Sequence, residues 1–471
     1  MPPSEPAHST AAAPPASKLS FGAWMALAAA LLGWMFDGME MGLFPLVARP
    51  ALLELVGSQA TDAQIGDWLG AIIAVFLVGA AAGGMLFGWL GDRVGRVKAM
   101  VWSVAVYSVF SGLCAFAAAP WHIAVLRFIA ALGMGGEWAL GVALVMEIWP
   151  GSKRPLLAGL IGAAANAGYL VIGFAGLALA SLTAVLRSGL ADLGLSAERV
   201  DYFMGADNSG WRILMLLGAS PALLTFLIRL FVPESERWRH AAASAPPARL
   251  ADIFAPSLLR KTLLGTMLGA LALIGTWGSV QWMPSWAGKL VAEEQKAVMA
   301  AAADPGAAKA AGDRLATQAR SKTQIAMSSG AIVFTILAAF LADWFSRRWA
   351  YFGLSLAALL VCQYLFRAGF GFGADFLLWA FLAGGVTASF YGWLPLYLPE
   401  LFPTRVRATG QGFAFNAGRL LAAGGTLVSG RLLKNFDGDY ARMCAVISLV
   451  YLVGLVAIWF CPETKGKPLP E

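Results

Sequence analysis

The chain has 471 residues, of which 59% are hydrophobic and 13% charged, with a formal net charge of +7. Soluble domains carry about 25% charged residues, so this composition argues against a soluble enzyme and for a polytopic membrane protein. The modest positive charge fits lysines and arginines in cytoplasmic loops better than nucleic-acid binding.

Residues 1–20 are rich in Pro, Ala and Ser and lack the basic and apolar regions of a signal peptide, so a disordered cytoplasmic tail is expected there. A helix needs about 20 apolar residues to cross the hydrocarbon core. Twelve such runs follow: 21–47, 67–90, 97–119, 121–147, 155–183, 210–232, 261–288, 323–343, 349–367, 373–397, 406–430 and 440–461. The expected architecture is therefore an all-α membrane protein of twelve transmembrane helices. Residues 233–260 form a polar, basic cytoplasmic loop that divides it into six-helix halves, 21–232 and 261–461, and 462–471 form a second cytoplasmic tail. The outer loop 289–322 is rich in Ala, Glu and Lys, which suggests a solvated insertion with surface helix broken at Asp304-Pro-Gly. Lys and Arg are more numerous in the short segments that lie inside if the N-terminus is inside, among them Arg93, Arg96, Lys98, Lys153 and Arg154. This predicts a multi-pass bacterial inner-membrane protein with both termini cytoplasmic.

The chain repeats itself. Glu147-Ile-Trp-Pro-Gly-Ser-Lys-Arg154 matches Glu400-Leu-Phe-Pro-Thr-Arg-Val-Arg407, with the glutamates offset by 253 residues (147 to 400). Asp92 in GDRVGR and Asp343 in ADWFSRR are offset by 251 (92 to 343), and Pro233-Glu-Ser and Pro462-Glu-Thr end the sixth and twelfth runs. Two related halves with a site at their interface are the layout of a secondary transporter. Cys114, Cys362, Cys444 and Cys461 lie far apart, and His8, His122 and His240 form no cluster, so no metal or cofactor is expected. No nucleophile–base set or phosphate loop is readable, so no enzyme is expected.

GWLGDRVGRVKAM (88–100), RFIAALGMGGEW (127–138), PESERW (233–238) and PETKGK (462–467) resemble signatures of the major facilitator superfamily. The GGEW, EIWP and LPELFPTRVRATGQG segments resemble its bacterial metabolite:proton symporters, the sialate and aromatic-acid branches among them. The second-half loop lacks the signature Gly, and the fifth run lacks the Gly-Pro of drug:proton antiporters, which argues against efflux.

Ionisable residues inside membrane spans are functional candidates because each costs roughly 3 kcal/mol or more near the bilayer centre. Asp37, Glu40, Arg127, Glu137, Glu147 and Arg419 are the candidates. Asp37 lies about 24 Å along the first helix from its inner end and Arg127 about 9 Å in from the outer surface, so the two can meet. In the resembling sugar:proton symporters, a first-helix Asp and a fourth-helix Arg form the proton-coupling pair. Asp37 and Arg127 match them; the other reading is a static ion pair. Glu40 is a mouth residue, helper or second proton site, and Glu137 an inward relay or a structural acceptor.

Asp92, Arg93, Arg96, Glu147, Arg154 and Glu234, with Asp343, Glu400, Arg407 and Glu463, cluster at inner helix ends. They are either topology signals or, as the resemblance implies, a cytoplasmic gate. Arg419, Gln281, Trp277, Tyr391, Trp393, Asn166 and Asn416 are the substrate-contact candidates, Arg419 because its planar fork suits a carboxylate. The expected function is proton-coupled symport of a small organic solute, an organic acid first. A sugar or polyol symporter, a facilitative uniporter and a non-transporting nutrient sensor are the alternatives. The partners expected are the solute, protons and lipid, with no nucleic acid, and the monomer is the expected functional unit.

Overall fold

A computed structural model describes residues 20–57, 60–205, 209–244, 248–301 and 304–471. The expected N-terminal tail thus lies outside the described residues, except Ser20, whose Oγ accepts the Ala23 N–H at 3.2 Å and caps the first helix. The helices, in order, are α1 Phe21–Val56, α2 Asp62–Val94, α3 Arg96–Leu113, α4 Pro120–Ile148, α5 Arg154–Leu177, α6 Leu179–Asp192, α7 Ala197–Met204, α8 Trp211–Leu217, α9 Ala222–Phe231 and α10 Glu236–Ser244. There follow α11 Pro256–Gly278, α12 Met283–Leu290, α13 Ala292–Ala301, α14 Pro305–Trp344, α15 Arg347–Leu365, α16 Ala374–Ala388, α17 Phe390–Leu401, α18 Arg407–Asn435, α19 Tyr440–Ser448 and α20 Val450–Ala457. No strand occurs among the described residues.

Nine stretches among the described residues are long and apolar enough to cross a membrane. The sixth expected run falls on α8 and α9, which are separated at Gly218–Pro221, where proline removes a backbone donor. The ninth and eleventh fall on α15 and α18, both continuous helices that are less apolar because they carry Arg347, Arg348, Arg407 and Arg419. Residues 184–204, between the fifth and sixth expected runs, are largely helical in α6 and α7. The 289–322 segment is helical on both sides of Asp304-Pro-Gly, as expected: α13 ends at Ala301 and the 40-residue α14 begins at Pro305.

Large apolar side chains point outward along most of these helices, for example Trp102, Val109, Phe174, Leu360 and Val456. Such a surface is stable only against lipid. The interior seams are instead made of small residues that let backbones approach. α2 packs along α4 and α18, α5 along α1 and α14, and α11 along α18. At the α1–α5 seam a Cβ on Gly38 would overlap the carbonyl of Ala165.

Gly38→Ala should therefore destabilise the purified protein by about 1–3 kcal/mol, the usual cost of forced overpacking. Gly70→Ala, with nothing within 4 Å of the added carbon, should have little effect. Equal thermal unfolding of the two variants would contradict this account of the seam.

Candidate functional site

A central cavity lies where α1, α4, α5, α11, α14, α16, α17 and α18 converge. Asp37 from α1 and Arg419 from α18 both line it, and their charges attract each other. One Arg419 N–H donates to Asn416 Oδ1 at 3.1 Å, and its guanidinium lies over the Phe415 ring at 5.2 Å. Its other donors have no hydrogen-bond partner among the described residues. Asp37 Oδ1 is buried, also without a partner. The wall between them is amphipathic. Trp34, Trp277, Tyr169, Tyr391 and Phe415 supply ring faces; Asn166, Gln281, Gln324, Ser328 and Thr276 supply polar atoms.

The structure thus places Arg419, Gln281, Trp277, Tyr391 and Asn166 on the cavity. Asn416 stands behind it, held to the Gly412 carbonyl at 2.8 Å while it orients Arg419. Trp393 is a correction: it is fully buried away from the cavity, donates to the Arg347 carbonyl at 3.0 Å and stacks on Tyr397. Positions 391 and 393 differ by about 200° around a helix, so Tyr391 on the cavity turns Trp393 away.

The expected Asp37–Arg127 contact is also corrected. Arg127 forms a two-pronged pair with Glu40, 2.9 Å from Nη1 to Oε1 and 3.2 Å from Nη2 to Oε2. Ser111 donates to the same carboxylate at 3.0 Å, and Phe44 and Phe76 cover the guanidinium at 4.3 and 4.7 Å. Glu40 is one turn further out on α1, level with Arg127, whereas Asp37 lies deeper and meets the cavity. Glu137 is buried in mid-α4, and neither carboxyl oxygen has a hydrogen-bond partner.

The helix ends that carry the repeated motifs are held by a buried charge network. Arg96 binds Asp92 at 2.6 Å and Glu147 at 3.0 Å. Glu147 also binds Arg407 at 3.0 Å, which ties α4 to the start of α18. Asp92 accepts the backbone N–H of Thr409 at 2.6 Å, and Arg96 donates to the Thr404 carbonyl at 3.0 Å. The last three of these links join α2, α3 and α4 to α18 or the turn before it. A second set mirrors part of this: Arg347 pairs with Glu400 at 2.7 Å and lies 3.8 Å from the half-exposed Asp343.

Glu234 and Glu463 do something different. Glu234 accepts the N–H groups of Arg96 and Val97, and Glu463 those of Arg347 and Arg348, so each carboxylate caps a helix N-terminus. Burial alone would raise the Glu463 pKa, but these donors and the Lys465 N–H outweigh it and hold the group below its ordinary range. Arg93 is exposed over Trp89 at 5.2 Å and takes no part in the network. Arg154 makes no ion pair within 4 Å among the described residues, and its Nε is buried without a partner. The sequence analysis did not single out Arg347 for this ion pair, although it follows Asp343 as Arg96 follows Asp92, at the same 251-residue offset.

Lipid-facing helices around a mid-depth cavity, closed on one side by buried ion pairs, define a membrane transporter. Residues 26–249 and 315–471 match the family described as sugar (and other) transporter, and the chain belongs to that family within the major facilitator superfamily. It is 30% identical to a Cupriavidus pinatubonensis protein named "Probable 4-methylmuconolactone transporter", over 92% of this chain and 89% of that one. It is 24% identical to the cis,cis-muconate transport protein of Acinetobacter baylyi, over 93% and 94%. The fold is similar to that of the proton:xylose symporter XylE, with a TM-score of 0.67 at 18% identity, over 96% of this chain and 98% of that one. The protein is an inner-membrane, multi-pass transporter of a small molecule, not an enzyme.

Removing one partner from a buried ion pair costs about 3–5 kcal/mol. Arg407→Ala should therefore loosen this end of the bundle, read as faster labelling of a cysteine introduced behind the ion pairs. Arg154→Ala should change the rate much less. Equal rates in the two variants would sink this assignment.

Proposed function

We propose that the protein is a proton-coupled importer of a small organic acid that works by alternating access. In this reading twelve helices in two six-helix halves, 21–232 and 261–461, are joined by a cytoplasmic 233–260 loop. Both termini are cytoplasmic, and the monomer is the working unit. The observation that carries the proposal is Arg419 and Asp37 on one aromatic-walled cavity, each with unused hydrogen-bonding capacity.

The chemistry follows from that arrangement. A guanidinium binds a carboxylate through two parallel N–H···O bonds, and a low-dielectric wall strengthens them. An incoming acid and Asp37 compete for the same fork. When the acid takes it, Asp37 loses its counter-charge and is neutralised by a proton from the open side. Solute and proton are then loaded together, and the buried site holds no excess negative charge during the switch. After the cytoplasmic gate opens, water reaches both and the acid and proton leave. Aromatic faces fit an unsaturated or cyclic carbon frame. The muconate in one relative's name is a dicarboxylate, which agrees with an acid. The alternative is a sugar or polyol, taken up by symport or uniport; it is favoured by the amides and hydroxyls of Gln281, Gln324 and Thr276.

Binding to the folded state raises thermal stability by mass action. Carboxylates should raise the unfolding temperature of the purified protein, and sugars and polyols of similar size should not. Stabilisation by sugars alone would replace the acid with the alternative.

Arg419→Lys keeps the charge but loses the fork, so the carboxylate-induced shift should shrink by most of its size. Asp37→Asn should bind the acid but fail to accumulate it in proteoliposomes with an imposed pH gradient. Uphill accumulation by Asp37→Asn would make the carboxylate a structural group.

A further inference from the structure

Glu137 has no role in the pairings described above, yet its position is costly. It is 4% exposed, eleven residues from the inner end of α4, and both oxygens are buried without a hydrogen-bond partner. Its carboxyl lies directly against the α1 backbone: a Cβ on Gly33 would sit 2.5 Å from Glu137 Oε2. The flanking rings of Trp34 and Trp138, 6.3 Å apart, add no charge.

The titratable and charged groups around it can be named helix by helix. Asp37 follows Gly33 by one turn on α1 and interacts with Glu137 electrostatically, and Glu40 lies a further turn out, tied to Arg127. Tyr107 on α3 has a buried hydroxyl with no partner and also feels the Glu137 charge. α2 carries no ionisable residue between Asp67 and Asp92, and the group that α5 offers at mid-depth is the neutral Tyr169. Arg419 on α18 faces Asp37 across the cavity. Arg127 is therefore held by Glu40, and Arg419 faces the cavity and not Glu137. An ionised Glu137 here would be a buried charge with no donor, far more costly than a neutral acid in the same place.

We propose that Glu137 carries a proton while the cytoplasmic gate is closed and releases it to the cytoplasm when the gate opens. The proposal rests on the proton-coupled reading above and adds a second carrier to it. The geometry orders the two groups. Asp37 meets the cavity, and Glu137 lies one turn deeper, behind the cavity wall. The gate carboxylate Glu147 follows on the same helix about 15 Å further in. On opening, the Glu137 O–H bond breaks, the proton passes to cytoplasmic water, and the carboxylate is hydrated. On return, a proton from the cavity side crosses from Asp37 to restore the O–H bond. Gly33 lets the Glu137 carboxyl rest against the α1 backbone.

The test needs no solute, so its outcome is independent of which solute is carried. Infrared spectra of the purified full-length protein are recorded at neutral pH, with ¹³C-labelled glutamate identifying glutamic-acid bands in the unmutated chain. The expected result is a protonated-carboxyl C=O band that shifts with the label and is lost in Glu137→Gln. The band should also weaken in Arg407→Ala protein whose cytoplasmic side is shown to be open by cysteine labelling. A label-sensitive band that survives Glu137→Gln, or no such band in the unmutated chain, overturns the proton on Glu137. A band of full strength in the opened Arg407→Ala protein overturns its release to the cytoplasm.

Discussion

The fold is organised by the cost of leaving a charge unpaired where water cannot reach it. Lipid-facing apolar surface fixes that the helices lie in a bilayer, but it does not fix how they pair, because lipid solvates a leucine as well as another leucine does. The discriminating contacts are polar. Arg127 finds Glu40, Arg96 finds Asp92 and Glu147, Arg407 finds Glu147, and Arg347 finds Glu400. Removing one member of such a pair leaves the other stranded, so each pair holds two helices together strongly and lets go abruptly.

Against that background the under-satisfied groups stand out. Asp37 and Glu137 each have buried oxygens without partners, and Arg419 has spare donors beside the cavity. Most other buried charges are ion-paired, although single atoms such as Glu147 Oε2, Arg96 Nε and Arg154 Nε also lack a hydrogen-bond partner. Leaving these three incomplete is consistent with a site whose missing partners are a solute and a proton. The aromatic wall keeps the local dielectric low, so arrival of either partner changes the energy of the other. Coupling needs no direct contact between solute and proton, only a shared guanidinium.

Much of this was legible in the sequence. Apolar run length located every membrane-length helix, and the Glu147/Arg154 and Glu400/Arg407 repeat pointed to the inner ends where the network forms. The cavity residues Arg419, Gln281, Trp277, Tyr391 and Asn166 were readable because a polar or aromatic residue at mid-depth has few other uses. What was not legible is azimuth and register between helices. Depth along α1 could not separate Asp37 from Glu40, three residues apart on one face, so Arg127 was matched to the wrong carboxylate. Trp393 was misplaced for the same reason: its distance along α17 was right and its direction was not. The repeat also implied a symmetry that side chains do not keep, since Arg407 bridges Glu147 while Glu400 turns to Arg347 and Thr464 and leaves Arg154 aside. Close backbone contacts such as Gly38 on Ala165 set these angles, and a single sequence does not display them.

The central claim is that an acid and Asp37 compete for Arg419. The direct measurement is proton uptake when ligand binds, followed with a pH indicator in lightly buffered detergent solution. The ligand is the carboxylate that most raises the unfolding temperature. The account predicts that binding draws protons from the medium, and that the uptake vanishes in Asp37→Asn while binding persists. Binding with no proton uptake, or the same uptake in Asp37→Asn, would contradict it.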